Sequence, residues 1–381
     1  MIKRLFSILF ISLFTITSYA QTWIDSVETY AMQSYLPAAK YVWSWQHAAF
    51  LNTIVKRYDQ VAGDEKVKYF DYVIKAMEKT KGSANGKTPN GVASGLGMAF
   101  LYEKTGDEFY KAKCDKIFAQ YQKVKRTPEG AISHLPLTLE LWDDTVFMIG
   151  QFMIAMYRAT GDEKYLNELA IQFRLHREKL LDKKTGLWYH GWDANDKDGI
   201  PYFCGQMGWP DDETRVSSEI WGRGNGWLLV TLSDALEVIP NEDELWGEFA
   251  GYLGEMIEHL PELQDEKTGH WYQLPVRKDD PDNWIESSCT AMFAYGMLSA
   301  LKLGIVEDRI FVKSAELAYN GLRKHSTEPA KNGLTCTNVC TGTCIGDKDY
   351  YLKRGVQKGR SFGLAMFIQF GMRYEIENGL R

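Results

Sequence analysis

The chain has 381 residues, 44 basic against 50 acidic side chains, and a net charge of −6. That acidic balance argues against a nucleic-acid partner, and no stretch after residue 20 is long and apolar enough to span a bilayer. The length suits one large domain or two ordinary ones. Residues 1–20 read as a signal peptide: Lys3 and Arg4 open it, Leu5–Ile16 is a short apolar run, and Ser18-Tyr19-Ala20 is a small-residue cleavage site. The residue after that site is Gln21, with no Cys for a lipid anchor. Without Lys3 and Arg4 the net charge becomes −8 (42 − 50). The expectation is an exported protein, most simply periplasmic, with no membrane anchor.

Taken in order, the chain repeats a turn. Val61-Ala62-Gly63-Asp64-Glu65, Lys104-Thr105-Gly106-Asp107-Glu108 and Ala159-Thr160-Gly161-Asp162-Glu163 share it. Each follows a helix-period apolar run, over Phe50–Tyr58, Leu96–Tyr102 and Val146–Tyr157. Each precedes another run, with Tyr69, Tyr110 or Tyr165 near its start. Gly ends one helix, and Asp-Glu opens the next where the helix dipole favours acids. Weaker copies stand at 239–244 and 303–308. Strand signals are few. The prediction is an all-α chain of helical hairpins over residues 21–381, closed into a toroid of two concentric rings. An open solenoid is the alternative. Long polar connections would gather at one end and build a site there.

The stretch 128–148 is the most informative. A Pro128-Glu129-Gly130 turn and His134 lead to Trp142-Asp143-Asp144, and an apolar helix follows at once. Asp143 or Asp144 could simply be an N-cap, as Asp often is. The longest connection, from about Lys183 to Trp221, is rich in aromatics: Trp188, Tyr189, Trp192, Tyr202, Phe203, Trp209 and Trp221. Rings mixed with polar groups suit sugars, because a ring stacks on a sugar face while side chains bond hydroxyls. Trp43-Ser44-Trp45-Gln46-His47 and Trp221-Gly222-Arg223-Gly224-Asn225-Gly226-Trp227 have the same character. The glycines of the second stretch are no dinucleotide fingerprint, since no strand precedes them and the spacing is wrong.

Six cysteines occur. Cys114 and Cys289 lie in helical patterns and read as small buried apolar residues. Cys204 lies in the long connection. Cys336, Cys340 and Cys344 lack the tight pairs and fourth ligand of a zinc site, and a disulfide among these three remains open. No metal and no cofactor are expected.

These stretches together resemble the unsaturated glycuronyl hydrolases of glycoside hydrolase family 105, relatives of family 88. Arg126-Thr127-Pro128-Glu129-Gly130 with His134 looks like the family's approach to its acid. Trp142-Asp143-Asp144-Thr145-Val146-Phe147-Met148 looks like its catalytic motif. Leu187–Asp193, Trp221–Trp227, Glu286-Ser287-Ser288, Ala291–Gly296 and Gly342–Tyr351 extend the match over most of the chain. The resemblance implies an (α/α)6 barrel. It also implies hydrolysis of the 4,5-unsaturated uronic acid that polysaccharide lyases leave at a non-reducing end. It makes Asp144 the general acid/base. It puts His134, His190 and Arg223 in the pocket, with Trp45, Asn90, Trp142, Asp143, Trp221 and Trp227 as further substrate-binding residues. Two departures stand out. Asp143 replaces a residue that is often apolar, and Asn90 stands where the family carries a second pocket Asp.

The chemistry is also accessible from first principles. The C4=C5 bond of the substrate is a vinyl ether. One carboxyl can protonate C4 and then take a proton from the water that adds at C5. That Asp must start protonated, so its pKa should be raised by burial among Trp142, Trp188 and Trp192. An ordinary inverting glycosidase would instead pair Asp144 with Asp193 or Glu219. A non-catalytic exported glycan-binding protein is the third reading. The cationic stretch Lys348–Arg354, with Lys358 and Arg360, is either a solvated surface run or a sulfate-binding feature. The latter would favour unsaturated glucuronyl-rhamnose products of ulvan over galacturonyl-rhamnose products of pectin.

Overall fold

The computed structural model describes residues 21–194 and 209–381. The signal-peptide reading of residues 1–20, and Tyr202, Phe203 and Cys204, lie outside the described residues. Six helices form an inner ring: Trp45–Gln60, Gly95–Thr105, Thr145–Thr160, Gly222–Leu236, Ser287–Lys302 and Ser361–Glu377. Each packs on the next, and the last packs on the first. The ring is closed, which excludes the open solenoid. Five outer helices follow their inner partners as hairpins: Glu65–Thr80, Glu108–Tyr121, Lys164–Leu180, Glu244–Glu258 and Arg309–His325. The sixth outer helix, Trp23–Tyr30, packs on Ser361–Glu377. The architecture is the (α/α)6 barrel.

The two rings differ in sequence for a physical reason. Every residue of Gly222–Leu236 is buried, as a helix surrounded by others must be. Arg309–His325 buries one stripe, including Phe311, Ala315, Ala318 and Leu322, and leaves its other face to solvent. The repeated turns work as their composition predicts. Gly106 and Gly161 end their helices at φ +67°, in the left-handed region. Asp107 and Asp308 accept from the backbone N–H groups of Phe109 (2.9 Å) and Ile310 (2.8 Å). The chain ends complete the ring, with Thr22 Oγ1 donating to Glu375 (3.1 Å) and Arg381 paired with Asp25 (2.6 Å). Among the described residues, no helix is long and apolar enough to cross a membrane.

Among the described residues, four two-stranded antiparallel pairs decorate the barrel, more strand than the sequence suggested. Each is too short to stand out as an apolar alternation. They include Glu140–Trp142 with Gly191–Asp193 and Trp271–Tyr272 with Ile285–Glu286. They lead into or join the segments before the inner helices, and so set where the connecting chain enters the barrel.

Candidate active site

The pair between Glu140–Trp142 and Gly191–Asp193 builds the centre of the site. Trp142 opposes Gly191, and the Asp143 N–H donates to the His190 carbonyl (3.0 Å). Asp144 then holds the N-cap position of Thr145–Thr160, but its side chain makes no capping hydrogen bond. The plain capping explanation therefore fails. Asp143 is turned the other way, against the first turn of Gly222–Leu236. A methyl group on Gly224 would run into its carboxylate, so only glycine allows this approach.

A cavity of about 240 Å³ opens at the N-terminal ends of the inner helices. Trp45, Asn90, His134, Trp142, Asp144, Trp221, Arg223 and Trp227 all line it. Asp143 and His190, both fully buried, stand behind that wall. The His134 ring stacks on Trp142, with centroids 4.3 Å apart and planes within 6°. Its Nδ1 meets Thr145 Oγ1 at 2.9 Å, and its Nε2 meets Asn90 Nδ2 at 3.4 Å. His190 lies 4.5 Å from Trp221, centroid to centroid, and its Nδ1 is 2.7 Å from the Tyr351 hydroxyl. Arg223 donates to the carbonyls of Cys340 (2.9 Å) and Thr341 (2.7 Å) and faces Glu286 at 3.6 Å. Its guanidinium is sandwiched between Trp221 and Phe362, 4.6 and 4.7 Å from their centroids. It thereby ties the C-terminal segment to the cavity wall.

Electrostatics follow from burial. Asp144 is pushed up to about 7 by loss of solvent, with nearby Arg223 partly opposing the rise. Asp143 is held well above the ordinary carboxylate range by burial first and by Asp144 as a like charge second. Burial keeps His134 neutral, down at about 3, and holds His190 well below the ordinary imidazole range. Both Asp143 oxygens, Asp144 Oδ2 and His190 Nε2 are buried with no hydrogen-bond partner among the described residues. Ligand atoms of Asp143, Asp144 and His190 lie within 4.8 Å of one another. The raised carboxyls and the adjacent Arg223 cation make this a cluster that holds protons.

Several expectations need correction. Trp188 and Trp192 do not line the cavity. Trp188 packs edge-on against Phe173 (6.1 Å) and Trp192 lies under Lys179 (5.3 Å). Strand alternation and the outer ring claim them, and Trp142, Trp221 and Trp227 enclose Asp144 in their place. Asp193 and Glu219 do not line it either. They pair with Arg215 (3.2 Å) and Arg277 (2.8 Å). Cys114, Cys289, Cys336 and Cys340 are free buried thiols while Cys344 is disulfide-bonded. No disulfide therefore joins two of the last three cysteines. Sequence reasoning missed Gln46, Leu135, Met148, Gly342, Thr343 and Cys344 on the wall. Met148 sits one helical turn beyond Asp144, a spacing that marks it as a neighbour.

A larger cavity, about 420 Å³, lies between the C-terminal halves of the inner helices. Its charges satisfy one another, Lys56 with Asp234, Arg373 with Glu237, and Arg158 with Asp59. That pairing makes it a structural polar plug.

The profile of glycosyl hydrolase family 88 matches residues 15–377. The unsaturated rhamnogalacturonyl hydrolase YesR of Bacillus subtilis (strain 168) is 28% identical over 275 residues, 69% of this chain and 72% of that protein. An unsaturated 3S-rhamnoglycuronyl hydrolase of Alteromonas sp. (strain LOR) is 25% identical over 195 residues, 50% of this chain and 42% of that protein. The solved structure of a family 105 glycoside hydrolase from C. acetobutylicum ATCC 824 has a TM-score of 0.80 at 24% identity. That comparison covers 93% of this chain and 100% of the other, and it speaks for the fold. With a family match running over nearly its whole length, on a barrel whose tryptophan-walled cavity holds one buried carboxyl, the chain is a glycoside hydrolase of glycosyl hydrolase family 88.

Proposed function

We propose that this enzyme removes a 4,5-unsaturated uronic acid from the non-reducing end of lyase-generated oligosaccharides by hydrating the C4=C5 bond. One observation carries the reading. Among the described residues lining the cavity Asp144 is the sole carboxyl, and burial raises it to about 7. A glycosidase working by displacement needs two carboxylates flanking the bond. A vinyl ether needs one. Asp144 gives its proton to C4, and an oxocarbenium-like centre forms at C5. Water adds at C5 and returns a proton to the Asp144 carboxylate. The resulting hemiketal opens and expels the aglycone from C1. Trp45, Trp142, Trp221 and Trp227 offer faces to the sugar ring. Asn90 and His134 offer polar atoms to its hydroxyls, and Arg223 offers positive charge to its carboxylate.

For the aglycone we propose a rhamnose carrying sulfate, as in ulvan products. The Alteromonas relative's name supports this choice. Lys348, Lys353 and Lys358 are engaged with Asp280, Asp349 and Glu328. Arg354 is the residue of interest: it stacks over Tyr350 at 5.0 Å and donates to the carbonyl of cavity-lining Gly342. Its Nε has no partner among the described residues. The longer match to YesR favours a second reading, an unsaturated galacturonyl-rhamnose product. The test is kcat/KM on both disaccharides, with and without sulfate, followed by loss of the unsaturated-uronide absorbance, in wild type and Arg354→Ala. A preference for the galacturonyl substrate rejects ulvan. No turnover of any unsaturated uronide rejects the reaction. Export, read from residues 1–20, is part of the same proposal, and fractionation of expressing cells tests it.

A further inference from the structure

Asp143 gives this chain two adjoining buried carboxyls, and the reaction proposed above needs the proton on only one of them. The two titrate as a unit. The question is what acts on Asp143 and not on Asp144. The candidate lies behind the cavity. His190 Nε2 stands 4.0 Å from Asp143 Oδ1, and His190 Nδ1 is 2.7 Å from the Tyr351 hydroxyl. Tyr351 and His190 are both fully buried.

The Tyr351 hydroxyl meets His190 Nδ1 at 2.7 Å, and the Gly346 backbone N–H, which can only donate, is the other hydrogen-bonding group beside it. A buried O–H that does not donate is left unsatisfied. The hydroxyl therefore donates to Nδ1, Nδ1 is the acceptor, and the imidazole carries its hydrogen on Nε2. That hydrogen sits on the nitrogen 4.0 Å from Asp143 Oδ1, beyond hydrogen-bond length but on the Asp143 side of the pair. An N–H on that side favours the Asp143 anion over that of Asp144.

We infer that Tyr351 is a positioning residue. By fixing the His190 tautomer it holds an N–H on the Asp143 side of the pair, which favours the Asp143 anion and shifts the shared proton toward Asp144. The other charged groups around the pair do not make this distinction. Arg223 acts on both Asp144 and His190, and Glu286 faces it at 3.6 Å. His134 is neutral. Glu219 and Tyr350 act on Tyr351 from outside, and Glu219 is paired with Arg277. Tyr351 comes from the short helix Lys348–Leu352, 161 residues from His190.

The inference rests on the hydration reading, and two measurements separate their failures. The first needs no variant and no substrate. Nitrogen-15 NMR of the histidine side chains in wild-type protein should show His190 as the Nε2–H tautomer, and an Nδ1–H tautomer overturns the inference. The second is Tyr351→Phe, with kcat and KM followed across pH. At about pH 6, kcat should stay within about twofold of wild type. At about pH 8 it should fall severalfold, with KM within about twofold. In an Asp143→Asn background, where only Asp144 can hold the proton, the Tyr351→Phe loss should shrink to within about twofold. A loss that is the same at every pH, or that persists in that background, makes Tyr351 structural only. Failure of wild type on every unsaturated uronide sinks the hydration reading and leaves the tautomer measurement to decide this one.

Discussion

Asp144→Asn separates catalysis from stability in a way the structure makes quantitative. At its ordinary value of 3.8 a carboxyl is protonated in about one molecule in 1,600 at about pH 7. At about 7 it is protonated in about half. Burial thus raises the reactive population by a factor on the order of 800. The amide cannot donate this proton, so turnover should fall by at least ~10³, within the ~10²–10⁴ range for general acid–base groups. The stability change has the opposite sign. Asp144 has a raised pKa in the folded state, so its contribution is fully present below about 3.8 and is lost as pH rises through about 7. Above that range the wild type keeps a buried anion and the amide variant does not. The variant should therefore be the more stable protein at about pH 8, by at most ~4 kcal/mol, taking 1.36 kcal/mol for each pKa unit. For a chain of this size that is on the order of 5 °C in Tm. The difference should vanish at about pH 4. The assays are absorbance-monitored turnover and thermal melts at several pH values. Turnover within tenfold of wild type, or a variant that melts lower than wild type at about pH 8, would refute the assignment.

Asp143→Asn should cost less turnover than Asp144→Asn. It should move the alkaline limb of the pH–rate profile, because the pair's second carboxyl is gone; an unmoved limb makes Asp143 a structural residue. Gly224→Ala should cost ~1–3 kcal/mol and most of the activity, since the new methyl displaces the Asp143 carboxylate. A variant that melts and turns over like wild type counts against that packing. Arg223→Lys should lose ~2–4 kcal/mol and raise KM, because an ammonium group cannot hold both carbonyls and face Glu286 from one plane. Denaturant titration and a substrate-saturation curve check it.

The barrel was legible because its information is local. Gly161 and Asp162 stop one helix and start the next whatever surrounds them, and the apolar stripe of Arg309–His325 declares its outer position. Repeated along the chain, those signals dictate hairpins, which suit a toroid or an open solenoid alike. Asp144 was legible for a related reason: a carboxyl placed where a tryptophan-flanked strand becomes an apolar helix has little room to be anything but buried. The partners of that carboxyl were not legible. Arg223 meets the carbonyls of Cys340 and Thr341, 117 and 118 residues away, and His190 meets Tyr351 across 161. The facing of Trp192 away from the cavity depends on how a three-residue strand registers against Glu140–Trp142, and Trp188, outside that strand, is set by its contact with Phe173. Strand register shifted by one residue reverses every side chain, and nothing local in so short a strand sets it. The residue types that do the chemistry were therefore determined by the sequence. Which of them share a wall, which stand behind it, and which carboxyl keeps the proton were decided only when the ring closed and brought distant segments within hydrogen-bond reach.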